Sequence, residues 1–375
     1  MALDIIARAA AANASGTAST AQSVAAAAQV AAAGAQAAAT PPFLFTAIGS
    51  KIIDNSIAVL ASSGYSVSGK GAGSYISDSY ANSALASAHP RFCKQSSNGR
   101  YFRLAPAGLA NAISVEQGGA IGASGTNDQP AIQAAIDYAI ATGIREVLFT
   151  QANYDARPST FVPGGFGGIN PTGNMIDINS SLASAPFTLK LTGLPWGTTI
   201  RRIGYNAGGS PDTDYQTVSG NPHRGGGMHI YGTQADEAAY ANMDAWKIQC
   251  FEIENITIDG GRTAGTKVPN STDTSDKGIF TYNAVRKIVF RNGGVRKFGY
   301  ELLYGGGTGY GSGTLYPMEV FLENFKAVSS NHSCLNFQDA NLTDINGEYG
   351  DAYIAAEQYG MDSKFIGTVF RAPIS

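Results

Sequence analysis

The clearest hydrophobic period in the chain lies at Gln129 to Thr142, where Ile132, Ala135, Ile136, Ala139 and Ile140 return to one side of a helix. Asp128 stands before it as a side-chain cap, Pro130 sits in the first turn and Gly143 follows the last, so a helix is predicted over 129–142. Beyond residue 185 the helical period stops. Short apolar runs at Thr188–Thr192, Glu252–Asp259, Lys287–Arg291, Glu319–Val328, Leu342–Ile345 and Lys364–Phe370 read as strands. From Ile256 to Ile288 is 32 residues, from Phe325 to Ile345 is 20, and from Ile345 to Ile366 is 21. Strands returning about every twenty residues, with longer excursions inserted, predict a solenoid whose coils stack in parallel about 4.8 Å apart. Asn331, Asn336, Asn341 and Asn346 are placed near its bends, where Asn tolerates tight backbone and can stack in ladders. A β-sandwich competes less well, because it needs more hairpin signals than Asn98-Gly99, Asn292-Gly293 and Asn346-Gly347 provide.

Upstream the pattern changes twice. Residues 1–40 hold twenty Ala and two charges, Asp4 and Arg8, while Gln22, Gln29 and Gln36 recur every seven residues. A polar stripe opposite small apolar positions predicts a narrow, Ala-packed coiled coil that needs partners, and Pro41-Pro42 ends it; a low-complexity leader is the alternative. Residues 43–111 read as a small α+β module, with a short helix over Ser50–Ser62 and strands at Ser74–Ser77 and Arg100–Leu104. Between them Gly64 to Lys70 matches G-x-x-x-x-G-K, but Gly71 stands where a P-loop needs Ser or Thr, so a backbone turn is the expectation. The domain expectation is therefore an Ala-rich leader at 1–42, the module at 43–111, and coils over 112–375 that open with Ile113–Gln117 and the 129–142 helix. The fold class is mainly β.

Composition narrows the function. With 25 Lys+Arg against 28 Asp+Glu the formal charge is −3, which argues against a nucleic-acid footprint or a polybasic membrane anchor. No run of eighteen strongly apolar residues is present to cross a bilayer. Cys93, Cys250 and Cys334 are too few and too scattered for a disulfide framework. Met1 to Ala14 lacks the basic, apolar and cleavage segments of a Sec signal. Gly, at 46 residues, is plentiful, as many short strands joined by turns require.

Gly119-Ala120, then Gly122, Gly125, Thr126, Asn127 and Asp128, then Ala131-Ile132-Gln133-Ala134-Ala135-Ile136, resembles the opening motif of pectate-lyase-like right-handed parallel β-helix proteins. In that family a Gly-Ala turn, an Asp and a short helix close the bottom of the β-helix. Residues 57–104, with Gly64-Tyr65 and Gly99-Arg100-Tyr101, are similar to the small module before the β-helix in bacteriophage tailspikes and capsule depolymerases. Ala152-Asn153-Tyr154 departs from the family, which usually has Gly before the Tyr. The resemblance implies a homotrimer on the virion tail, docked to a tail or baseplate protein through residues 1–110, with the β-helix directed at a host surface polysaccharide. It implies no nucleic acid and no membrane insertion. The end at Pro373-Ile374-Ser375, just after a strand, is expected to be covered by another subunit or to continue into a longer protein.

Glycan hydrolysis needs two carboxylates about 5 to 9.5 Å apart, distances that stacked rungs supply. Asp339, Asp344, Glu348, Asp351 and Glu357 cluster late in the chain, and Asp339, Glu348 and Asp351 are the catalytic candidates. Tyr300, Tyr304, Tyr310 and Tyr316, spread among glycines, are the candidates for stacking on sugar rings. A lyase would instead need a base and a cation, for which His332 with Lys326, or Arg286, Lys287 and Arg291, could serve. No cofactor or metal is expected: His223 and His229 have no ligand spacing, and no calcium loop occurs. Three readings follow: a polysaccharide-binding or polysaccharide-degrading tail subunit, a non-enzymatic tail adaptor, and a cellular polysaccharide lyase or epimerase.

Overall fold

The computed structural model describes residues 43–107, 111–158, 173–204, 216–218, 221–223, 226–232, 246–262, 276–282, 285–306, 318–330, 332–338, 340–352, 354–359 and 362–371. The Ala-rich segment with its coiled-coil reading, Asn331, Tyr310, Tyr316 and Asp339 lie outside these residues. The described chain forms two compact units, one ending at Gly119 and the other starting at Ala120. No helix among the described residues is long and apolar enough to cross a membrane.

The first unit carries a five-stranded sheet in the order Phe43–Leu44, Val59–Gly64, Gly73–Ile76, Tyr101–Leu104, Cys93–Gln95. The helix expected over Ser50–Ser62 is absent. A 3₁₀ turn occupies Phe45–Ser50, and Val59–Gly64 is a strand antiparallel to Gly73–Ile76. Alternate burial of Val59, Leu60, Ala61, Ser62 and its neighbours shows why: cross-strand pairing overrode a local helical reading. The Gly64-to-Lys70 stretch is the loop of this hairpin and no helix follows it, so the phosphate-cradle geometry does not arise. Gly71 is needed there, since at φ 68° a Cβ would lie 2.0 Å from the Glu116 carbonyl. Phe45 stacks on Tyr65 and Tyr75 to fill the core.

The second unit is a parallel β-helix. The helix Gln129–Thr142 forms as predicted and Gly143 ends it with φ 73°. Asp128 does not cap it; its carboxylate accepts the Ile121 and Gly122 N–H groups at 2.7 and 3.0 Å, pinning the Gly-Ala turn instead. Three parallel sheets then run the length of the unit. The first stacks Glu146–Leu148, Phe187–Thr192, Ile248–Glu254, Lys287–Arg291, Met318–Glu323, Ala340–Ile345 and Asp362–Ile366. The second stacks Asn153–Ala156, Thr198–Arg202, Ile256–Asp259, Gly294–Phe298, Lys326–Ser330, Glu348–Gly350 and Val369–Phe370. The third stacks Asn174–Asn179, Gly226–Tyr231, Ile279–Tyr282, Leu303–Gly306, Ser333–Gln338 and Ile354–Tyr359.

In-register ladders fill the lumen. Leu191, Ile253, Phe290 and Leu322 line one wall, Ile200, Ile258, Val295 and Ala327 the next, and Ile176, Met228, Ile279, Leu303 and Leu335 the third. Each rung thus stabilises its neighbour by burying apolar area, about 25 cal/mol per Å². Runs that read as single strands, Glu252–Asp259 and Glu319–Val328, are each two strands broken at a corner. Asn255, Asn292, Asn324 and Asn346 hold those corners with φ of 59°, 52°, 49° and 57°. Asn tolerates this left-handed backbone and turns the chain quickly. The side chains also stack, Asn324 donating to Asn292 at 2.9 Å and Asn346 to Asn324 at 3.3 Å. Asn346 is therefore a corner residue as expected, whereas Asn336 and Asn341 lie inside strands.

Candidate functional site on the third sheet

Between the described strands from Glu146 onward, five connections exceed ten residues, those following Ala156, Arg202, Tyr231, Asp259 and Gly306, and each leads to or from a strand of the third sheet, the second by way of the Gln216–His223 hairpin. The ends of these insertions thus adjoin the third sheet, and inserted loops are where binding residues concentrate in repeat folds. Along the outward side of that sheet one register file reads Asp177, His229, Phe280, Tyr304, Asn336, Glu357.

The lower end of this file meets the capping helix. Gln133 Nε2 donates to Asp137 Oδ1 at 2.8 Å and to the Asp177 carbonyl at 2.7 Å, and the Asp177 N–H donates back to Gln133 Oε1 at 2.8 Å. Asn174 Nδ2 donates to Asp177 Oδ1 at 2.8 Å. Burial pushes the Asp137 carboxyl up to about 6 against the Gln133 hydrogen bond. Burial, aided by the Asp137 charge, pushes Asp177 up to about 6 as well. Asp177 still keeps 28% of its side chain exposed, so it can be reached. Both carboxyls thus stay partly protonated near pH 6, burial being the main cause for each.

His229 sits beside them, Nδ1 3.8 Å from Asp177 Oδ1, and stacks between Tyr231 and Phe280 with centroids 4.3 and 4.4 Å away. Burial, with Lys277 second, pushes its imidazole down to about 3, so it is neutral at physiological pH. Burial and the two carboxylates push Tyr231 up to about 12, which keeps its hydroxyl protonated.

Higher along the sheet the polar groups are deeply buried. Arg202 and Arg262 both bond Asp276, and the Gly299 N–H adds a bond to it at 2.9 Å. Lys277 pairs with Glu301 at 3.0 Å and lies 3.6 Å from the Tyr304 centroid; Asn336 donates to Glu301 at 2.8 Å. Tyr300 stacks on His332 at 4.5 Å. Of the four tyrosines singled out from sequence, the two described ones, Tyr300 and Tyr304, therefore share Lys277 beside the third sheet and stay partly exposed.

The late carboxylates are dispersed. Glu348 lies on the outer side of the second sheet, paired with Lys326 at 2.9 Å and Arg371 at 2.6 Å, and the Lys326 hydrogen bond holds it below the usual glutamate range. Asp351 occupies the next corner with φ 52° and an exposed side chain. Asp344 points into the lumen, fully buried, accepting from Tyr349 at 3.0 Å and Thr368 at 2.6 Å, and burial raises its pKa. Glu357 shares the third-sheet register file. Lys287 and Arg291 belong to the first sheet, and Lys326 to the second, where it pairs with Glu348. Sequence reasoning missed Asp137 and Asp177; the available signal was the alternation in Asn174–Asn179 and Gly226–Tyr231, which sends Asp177, Asn179, His229 and Tyr231 to one side.

No family model matches the chain, and no curated protein matches it in sequence. Among solved structures it is similar to the A-module of the Azotobacter vinelandii mannuronan C-5 epimerase AlgE4, at 15% identity and a TM-score of 0.37, over 64% of this chain and 51% of that one. It is similar to Pantoea stewartii WceF, a glycan biofilm-modifying enzyme with a bacteriophage tailspike-like parallel β-helix fold, at 12% and 0.38, over 82% and 46%. It is similar to tailspike protein gp49 of Acinetobacter baumannii bacteriophage Fri1, a capsular polysaccharide depolymerase, at 12% and 0.34, over 87% and 62%. The chain spans about half the length of the first two. Such distant likenesses bear on neither reaction nor substrate. By its own strand register the chain is a parallel β-helix protein.

Proposed function

We propose that this chain is a tailspike- or tail-fibre-type subunit that binds a host surface polysaccharide along the third sheet and hydrolyses it with Asp137 and Asp177. The observation that carries the reading is these two carboxyls, both raised to about 6 and partly exposed where the capping helix meets the third sheet. In the reaction the protonated member gives its proton to the glycosidic oxygen as the bond from the anomeric carbon to that oxygen breaks. The ionised member takes a proton from the water that adds to the anomeric carbon. One water is consumed per bond cut, and the products are a new reducing end and a new hydroxyl. The Tyr231 hydroxyl, alongside, would orient a sugar hydroxyl, with neutral His229 packed between Tyr231 and Phe280 as its support. Tyr300 and Tyr304 supply ring faces further along.

The virion end of the proposal rests on the Ala-rich segment, whose seven-residue stripe favours association of like chains; residues 1–110 would dock the tail and the assembly would be a homotrimer. Incubating the full chain with surface polysaccharides and following reducing ends and polymer length tests the activity. Solution mass tests assembly, three times the 38.8 kDa chain being expected. A trimer that attaches to phage tails yet neither binds nor shortens any polysaccharide identifies a structural adaptor instead.

A further inference from the structure

We infer that the third-sheet site takes an electrically neutral stretch of glycan, built of neutral or N-acylated sugars, and excludes uronate-bearing ones. The inference rests on the glycan reading of that face and adds the substrate class to it.

The six strands of the third sheet contain no Lys or Arg, whereas the first sheet carries Lys190, Lys287, Arg291 and Lys364 and the second carries Arg201, Arg202, Arg296, Lys297 and Lys326. Lys277, just before the third strand of the sheet, is held by Glu301 at 3.0 Å with 4% of its side chain exposed, and the Tyr304 ring covers it. Arg202 and Arg262, with 1% and 4% exposed, both serve Asp276.

A uronate placed beside Asp137 and Asp177 would add a third carboxylate where the two present ones accept from the uncharged Gln133 and Asn174. Lyase and epimerase chemistry makes the demand sharper, because removing the proton next to a uronate carboxylate requires that carboxylate to be neutralised by a cation or strong donor. His229 does not supply the charge, being neutral. Hydrolysis of a neutral sugar makes no such demand: the proton comes from one carboxyl, and the positive charge that develops at the anomeric carbon is favoured by the other. An acidic surrounding therefore helps the reaction on a neutral substrate and hinders binding of an anionic one.

The test uses the full chain with matched probes: a uronate-containing capsular polysaccharide, the same polymer after its carboxyl groups are reduced to alcohols, and an N-acetylated neutral surface polysaccharide. Binding and cleavage should favour the neutral polymers by at least about tenfold, with no unsaturated uronate detectable by ultraviolet absorbance. Affinity should change less than about twofold between about 50 and 500 mM salt, since no ion pair forms with ligand. In the double variant Asp137→Asn, Asp177→Asn, binding of the unreduced polymer should rise several-fold while binding of the reduced one holds. A tenfold preference for the unreduced polymer, an unsaturated product, or salt-sensitive binding overturns the inference while leaving glycan binding intact. Failure of every polymer to bind overturns the glycan reading and this inference with it.

Discussion

The third sheet and the two other faces are made of the same rungs yet treat charge in opposite ways. On the second sheet Asp155, Arg201, Asp259 and Arg296 alternate along one outward file, and each acid meets a base in the next rung at 2.7 to 2.9 Å. On the first, Lys190 pairs with Glu252 and Glu254, and Arg291 with Glu252 and Glu323. Those faces satisfy themselves. The third leaves a pair of desolvated carboxylates beside a neutral imidazole, and confines its charges to buried clusters. Surface ladders of opposite charge are worth about 0–1 kcal/mol per pair and chiefly favour one register. Buried or half-buried groups carry larger stakes, and they adjoin the sheet that the long connections enter or leave.

The comparison breaks most visibly at Asp276. It is fully buried between Arg202 and Arg262, so Asp276→Ala strands two guanidinium groups and should cost about 3–5 kcal/mol in denaturant unfolding. A loss near that of a surface pair would show that water reaches this corner.

Asp177→Asn comes next and separates chemistry from scaffold. Cleavage should fall about 10³-fold, the scale of losing an acid–base group. Stability should move the other way. A carboxyl whose folded pKa is raised from 3.8 to about 6 contributes its full stability below pH 3.8 and loses it as pH rises through 6. The variant should therefore gain about 1 kcal/mol over the parent at pH 8, after allowance for solvent screening, and nothing at pH 3. Asp137→Asn removes the like charge, so the remaining carboxyl should titrate lower and any residual rate profile should shift toward acid. A destabilised Asp177→Asn protein would mark the residue as structural.

Much of this architecture is legible in the chain. Ile132 to Ile140, Gly143 and the returning apolar strands announce the capping helix and the rungs, because burial against a lumen imposes a period on the residues that face it. The corners are half legible: Asn346 stands out, but Asn255 and Asn324 merge into strands, since one residue in left-handed backbone leaves no gap in an apolar run. The site is not legible. Asp137 and Asp177 are forty residues apart on a helix and a strand, and the docking of that helix on the strand through Gln133 brings the two elements together. That docking spans connections of unequal length, which no period reveals. Glu348 draws attention by the density of carboxylates around it in the sequence, whereas its surroundings are ordinary ion pairs.

The corners offer the next smaller effect. Asn324→Ala places a Cβ-bearing residue without side-chain hydrogen bonds at φ 49° and cuts the stack to Asn292 and Asn346, for a cost of about 1–2 kcal/mol. Asn324→Gly keeps the backbone and loses only exposed side-chain bonds, so it should recover about half of that. Equal losses would assign the corner's stability to the ladder and none to the backbone.

Arg296→Gln should do least, and that is its use. Arg296 Nε donates to Asp259 at 2.7 Å, but 42% of its side chain is exposed, and Asp259 keeps the Gly261 N–H at 2.8 Å and Lys297 at 3.9 Å. Losing one partner of an exposed pair whose acid retains other donors should cost no more than about 0.5–1 kcal/mol and leave polysaccharide cleavage unchanged. A larger stability loss would mean that the charge ladders hold the rungs in register, and that the outer faces matter as much to stability as the third sheet. A loss of cleavage without a loss of stability would mean that the ligand reaches across the second sheet, where the cations are, and the contrast between the faces would have to be redrawn.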